Sequence, residues 1–209
     1  MIGDNGRSET KGNIVTQDIR ICFIGDSFVN GTGDETTQGW AGRLCAAANN
    51  NSSVTYYNLG VRRDTSKDIL LRWEQECAIR LPEFCDGRIV LSCGVNDTVI
   101  EDGRLRVSLE ESCANIKEIL LGTQKFKVIM VGPPPIGEKV QDERIKVLSN
   151  SFSYEAEALG IPYIDIFTTL ATDDSYKSEV SSNDGAHPRS SGYSKIAKII
   201  GASPFWWFN

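Results

Sequence analysis

Short apolar runs alternate along the chain with stretches in which apolar residues recur at helical spacing. Ile19–Ile24, Val54–Leu59, Gly87–Cys93, Lys127–Val131 and Ile161–Ile166 read as strands, most of them almost wholly apolar. Between them lie helical stretches at Trp40–Asn49, Ser66–Arg80, Ser108–Leu121, Glu138–Leu159 and Ser191–Ile200. Ile69, Leu70, Trp73, Cys77 and Leu81 mark the inward stripe of the second helix, and Leu109, Cys113, Ile116 and Leu120 that of the third. Thr65 or Ser66 offers an N-cap, Gly160 a C-terminal stop, and Gly132-Pro133-Pro134-Pro135 ends the fourth strand. The segment between Ile166 and Ser191 reads as a polar loop.

Strands that alternate with helices of this length imply βαβ units. Strands apolar on both faces imply helices on both sides of the sheet. The expected architecture is an α/β fold, a three-layer α/β/α sandwich around a parallel sheet of about five strands. Residues 1–18, polar and mixed in charge, are expected to form a loose tail, and 19–209 one domain. The aromatic ending Pro204-Phe-Trp-Trp-Phe208 reads as packing on the domain edge, with a dimer contact or a substrate-channel wall as the alternatives.

Composition narrows the function. With 40% hydrophobic and 24% charged residues the chain has the make-up of an ordinary globular protein. A net charge of −6 without a Lys/Arg stripe argues against a nucleic-acid partner. No apolar run is long enough to span a membrane, and the N-terminus lacks the apolar stretch of a signal peptide, so a cytoplasmic location is expected. The six cysteines form no C-x-x-C pair and only one histidine exists, so zinc-site spacing is absent; the cysteines read mainly as buried thiols. No metal or cofactor is expected. The patterns of the nucleophile elbow, the P-loop and the dinucleotide fingerprint are all missing.

In open parallel sheets, ligands bind beyond the C-terminal ends of the strands. Four segments fall there: Gly25-Asp26-Ser27-Phe28, Asn58-Leu59-Gly60, Gly94-Val95-Asn96-Asp97, and Asp184-Gly185-Ala186-His187-Pro188 before the last helix. A serine hydroxyl needs a base to become a nucleophile, and His187 is the only imidazole in the chain. A histidine base needs an orienting partner, and Asp184, three residues earlier across a glycine-containing turn, can curl back to it. Acyl transfer also needs donors for the developing oxyanion; the backbone N–H of Ser27, that of Gly60 and the Asn96 side-chain amide are candidates. The bland alternatives are a helix cap for Ser27, a helix-start surface position for His187, a turn residue for Asn96 and a tight turn for Gly60. Asp26 and Asp97 read as structural hydrogen-bonding residues, and Asp34, Glu35 and Asp102 as exposed loop charges. Arg62 and Arg63 read either as a solvated pair or as ligands for an anionic or polar substrate group.

Taken in order, these four segments resemble the conserved blocks of the SGNH hydrolases, or GDSL lipases and esterases, over roughly residues 19 to 200. Phe28 departs from the family's leucine. The resemblance implies a flavodoxin-like α/β/α fold, a Ser27–His187–Asp184 site and an oxyanion hole of Ser27, Gly60 and Asn96. It implies a carboxylic ester hydrolase acting through an acyl-enzyme on a small-molecule ester, with short acyl or O-acetyl esters favoured because no insertion could form a lid. Acyl transfer, lysophospholipase or thioesterase activity, and a non-catalytic binding module are the rivals. Val61 and Arg62, directly after Gly60, stand where substrate contacts would vary.

Overall fold

The computed structural model describes residues 17–48 and 53–209. The tail expected over 1–18 falls largely outside them, although Asp18 already belongs to the first strand. In chain order the elements are β1 (Asp18–Gly25), α1 (Ser27–Asn30), α2 (Gly39–Ala47), β2 (Ser53–Gly60), α3 (Ser66–Arg80), β3 (Asp86–Ser92), β4 (Ile100–Glu101), β5 (Arg104–Leu105), α4 (Leu109–Gly122), β6 (Lys127–Val131), α5 (Lys139–Ala158), β7 (Tyr163–Ile164), α6 (Phe167–Ala171), α7 (Asp174–Ser182) and α8 (Ser190–Gly201). Among the described residues five strands form one parallel sheet in the order β2-β1-β3-β6-β7. The expected α/β/α sandwich is the observed fold.

The two-residue period of the strands builds the layers. Ile19, Ile21 and Phe23 of β1, Val90 of β3, and Ile129 and Val131 of β6 face one core, shared with Trp40 and Leu44 of α2 and Tyr193, Ile196 and Ile200 of α8. Their alternates, Cys22, Ile24, Ile89, Leu91, Val128 and Met130, face the other, closed by Ile69, Trp73 and Cys77 of α3, Ile116, Ile119 and Leu120 of α4, and Phe152 and Ala156 of α5. Each such aliphatic side chain is worth about 1.5–3 kcal/mol when fully buried. The inward stripe of α3 is the one the periodicity marks; in α4 Ile116 and Leu120 face the core as expected, Ile119 joins them, and Leu109 and Cys113 are only half-buried. Thr65 caps α3 in a reciprocal box with Asp68, and Gly160 follows α5 with φ of 68°. Trp206 is buried in the first core, and the Arg88 guanidinium lies 5.2 and 5.0 Å from the rings of Trp207 and Phe208. The aromatic ending therefore packs on the edge of the sandwich. All six cysteines are free thiols; Cys22, Cys77 and Cys93 are buried and the other three half-buried.

Three expectations need correction. The segment 167–182 is not a polar loop but carries α6 and α7, with Phe167, Leu170, Tyr176 and Val180 buried. The last strand shrinks to Tyr163–Ile164. Asp34 is not an exposed charge; it is 6% exposed and paired with Arg43, also an acceptor for the N–H groups of Thr36 and Gly39.

The strand ends that carry chemistry are level. Gly25 pairs with Gly60 of β2 on one side and Ser92 of β3 on the other. A Cβ on Gly25 would sit 1.9 Å from the Ser92 carbonyl oxygen and 2.4 Å from a Val29 methyl. Gly25→Ala is therefore expected to lower the Tm by roughly 5–10 °C, since such overpacking costs on the order of 3 kcal/mol in a chain of this size. A thermal melt that matches wild type would show that the strand end has slack.

Candidate active site

Ser27 opens α1 directly after β1. Asp26 caps that short helix, its Oδ1 accepting the Phe28 N–H at 2.9 Å. The cap fixes the turn, so the Ser27 side chain stands at the sheet's C-terminal edge while remaining only 5% exposed. As the first helical residue, Ser27 keeps an N–H with no intrahelical acceptor.

His187 arrives from the other end of the chain. Its Nε2 lies 2.7 Å from Ser27 Oγ and its Nδ1 2.7 Å from Asp184 Oδ2. Asp184 Oδ1 accepts the backbone N–H groups of Ala186 (3.0 Å) and His187 (2.8 Å), so the carboxylate is the hub of its own turn. Burial would raise the Asp184 carboxyl, but the bonds from the His187 N–H, the ring and the Ala186 N–H outweigh it and hold it below its ordinary value. An ionised Asp184 selects the tautomer with the proton on Nδ1, which leaves the Nε2 lone pair facing the serine. The Phe28 ring packs on the imidazole at 4.9 Å between centroids.

The candidate oxyanion donors converge on the same edge but are already engaged. The Gly60 N–H is 3.1 Å from Asn58 Oδ1. Asn96 Nδ2 donates to the Asp64 carbonyl at 2.9 Å and lies 3.5 Å from Asp26 Oδ2. An oxyanion would share or displace the Asn58 contact and take the second Asn96 N–H, whose existing contact is at the limit of a hydrogen bond. Gly60 has no room for a side chain: a Cβ would lie 2.1 Å from the Asn30 nitrogen.

Of the two substrate-contact candidates, Val61 is 42% exposed, and its N–H donates to Gly25 O. Arg62 lines an open hollow with Asn30, Gly31, Thr32, Gly33, Asp34 and Thr37. Arg63 points elsewhere, to Glu101 at 2.6 Å. Sequence reasoning missed the residues that brace the histidine segment. Arg43, tied to Asp34, reaches Ser190 Oγ (2.8 Å) and Ser194 Oγ (3.0 Å) of α8. The Tyr193 hydroxyl donates to Thr32 O at 2.7 Å, and Glu179 Oε2 accepts the Arg189 and Gly192 N–H groups. Among the described residues no cluster of three or more His, Cys, Asp or Glu could hold a metal, and no helix is long and apolar enough to cross a membrane.

The class begins with the fold: a parallel α/β/α sandwich with a hydroxyl, an imidazole and a carboxylate in line at the C-terminal edge of its sheet. The model of the GDSL-like lipase/acylhydrolase family matches residues 23–195, so the chain belongs to that family and is a carboxylic ester hydrolase. Solved structures share the fold. An acetylxylan esterase from Geobacillus stearothermophilus is 17% identical, with a TM-score of 0.73 over 91% of this chain and 97% of that one. A lipase/acylhydrolase from Enterococcus faecalis is 24% identical, with a TM-score of 0.70 over 87% and 93%. A lipolytic G-D-S-L protein from Veillonella parvula is 22% identical, with a TM-score of 0.69 over 87% and 96%. A search of curated proteins by sequence finds no match.

Beneath the site lies a group of buried and half-buried ionisable side chains. Asp97 accepts the Ser66 N–H (2.8 Å) and the Ser112 hydroxyl (2.7 Å), tying the strand-three turn to α3 and α4. Arg72 joins Asp64 (2.7 Å) to the Gly25 carbonyl (2.9 Å). Burial pushes the Asp26 carboxyl up to about 7, with Asp97 and Asp64 adding to the rise and the Phe28 N–H opposing it. A carboxyl raised above its unfolded value stabilises most below about pH 4 and loses that contribution as pH rises through 7. Asp26→Asn keeps a helix-capping residue and removes the titration. Relative to Asp26→Asn, wild type should lose on the order of 2 kcal/mol of unfolding free energy between pH 5 and pH 8, read from urea melts. Parallel pH profiles for the two proteins would contradict the burial argument.

Proposed function

We propose that the chain hydrolyses carboxylic esters with Ser27 as nucleophile, His187 as general base and acid, and Asp184 as the residue that orients the imidazole. The carrying observation is the unbroken line from Ser27 Oγ to His187 Nε2 and from Nδ1 to Asp184, with 2.7 Å at each link. His187 takes the serine proton as Oγ attacks the acyl carbon. The oxyanion forms against the N–H groups of Ser27 and Gly60 and the Asn96 amide. His187 then protonates the leaving alcohol, and water repeats the cycle on the acyl-enzyme.

Short acyl or O-acetyl esters suit this site, since among the described residues no long insertion follows the strand ends that carry it. The acetylxylan esterase among the structural neighbours supports the same choice. The free state of all six thiols supports a reducing compartment, the cytoplasm.

Ser27→Ala should lower kcat on p-nitrophenyl acetate by about 10⁴-fold or more and abolish fluorophosphonate labelling, and Asp184→Asn should cost on the order of 10²–10⁴-fold. Full activity in Ser27→Ala would refute the assignment. Wild type that neither labels nor turns over acetate would favour a binding module. A preference for acyl chains of about ten carbons or more would overturn the short-chain reading, by the scale of about 0.8 kcal/mol per buried methylene.

A further inference from the structure

The adjacent arginines after β2 have different fates. Arg63 is paired with Glu101, as Arg72 is with Asp64 and Arg43 with Asp34. Arg62 has no ion-pair partner among the described residues and lines an open hollow of about 420 Å³. The single carboxylate in that hollow, Asp34, is spent: Arg43 and the N–H groups of Thr36 and Gly39 hold it well below its ordinary range, against the effect of burial. The remaining lining is Asn30, Thr32, Thr37 and two glycines, all neutral. In a chain of net charge −6 this hollow is lined by one cation that no carboxylate pairs among the described residues.

Its walls abut the site on two sides. The Asn30 side chain donates to the Gly60 carbonyl at 3.3 Å, and Asn30 packs against Gly60 too closely for a Cβ. Gly33 faces His187, its Cβ direction ending 3.4 Å from His187 Cβ. In the proposed mechanism His187 hands its proton to the leaving oxygen, so the alcohol part of the ester lies on the imidazole side.

We propose that the hollow bounded by Arg62, Asn30, Thr32 and Thr37 is a subsite for the alcohol portion of the substrate, and that Arg62 selects esters whose alcohol carries an anionic group such as a carboxylate. This rests on the hydrolase reading above, so the test includes one measurement that needs no turnover.

Hydrolysis of para-acetoxybenzoate and of the neutral para-acetoxybenzamide gives two alcohols of nearly the same shape but different charge, and comparing the ratio across variants cancels their difference as leaving groups. Wild type should favour the benzoate in kcat/KM, and Arg62→Gln should reduce the benzoate-to-amide ratio by about fivefold, the scale of an exposed ion pair. Arg63→Gln should leave the ratio in place, and rising salt should shrink it in wild type but not in Arg62→Gln. Calorimetric titration of Ser27→Ala with para-hydroxybenzoate and para-hydroxybenzamide reads the same preference without chemistry, and adding Arg62→Gln should erase it. Indifference to charge in wild-type turnover and in Ser27→Ala binding, or an Arg62→Gln background that keeps the preference, overturns the proposal. Loss of turnover on both esters with the binding preference intact would fault the hydrolase reading and leave the subsite standing.

Discussion

The site depends on the level register of three parallel strands. Gly25, Gly60 and Ser92 stand side by side, so the loops after β1, β2 and β3 begin at one height. Parallel strands share a direction, and every C-terminal end opens on the same side. A slip of one residue would exchange the two faces of a strand and send Ile21 and Phe23 to the wrong core. The burial that fixes the register therefore also fixes where Ser27, Gly60 and Asn96 emerge. Gly25 has no Cβ because the Ser92 carbonyl occupies that space, which lets β1 and β3 close tightly just below the serine.

The histidine segment has no strand to hold it and is held by polar contacts instead. Arg43 spends its guanidinium on Asp34, the Gly39 carbonyl, Thr36, Ser190 and Ser194, which joins the loop after α1 to the start of α8. Glu35 accepts the Ser190 N–H, and Asn183 donates to the His187 carbonyl. A buried ion pair gains little net stability, because desolvation offsets most of its attraction. Its effect here is geometric: loop, helix start and histidine segment are tied into one hydrogen-bonded unit around the 2.7 Å contact between residues 27 and 187. Preorganisation of this kind is what the general base proposed here would require.

Much of this was legible in the chain. The apolar runs of β1, β3 and β6 were legible because strands buried on both faces are mostly apolar, whereas β2, at the sheet edge, is largely exposed or half-buried. Three of the four chemistry-bearing segments were legible because they sit where apolar runs end, and the fourth because it holds the only histidine in the chain. The N-cap at Thr65 and the stop at Gly160 are local in origin and read locally, while the reciprocal Asp68 contact appears only in the structure. What was illegible depended on tertiary contacts. Helix α7 buries only Tyr176 and Val180, one turn apart, so its sequence lacks a recognisable stripe; the Asp173 cap was the one available signal. Asp34 resembled any loop acid, because its burial depends on Arg43 nine residues away and on serines from the far end of the chain. The charge pair Arg62–Arg63 could not be divided until Glu101, on a two-residue strand with no sequence signal, was in place.

The proposed oxyanion hole carries an apparent contradiction that burial resolves. Asn96, a candidate donor to a developing negative charge, lies beside the carboxyl of Asp26, with Asp64 and Asp97 close by. Three ionised acids under the site would oppose an oxyanion, and in a low-dielectric interior the repulsion would be large. Arg72 balances Asp64 by direct pairing. Asp97 is bonded to two donors yet raised by burial, and Asp26, with one firm donor, is raised to about 7. The acid nearest the donor is thus the one that most readily holds a proton near neutral pH. Its burial below the serine both caps α1 and keeps excess negative charge away from the place where the transition state would need to put its own.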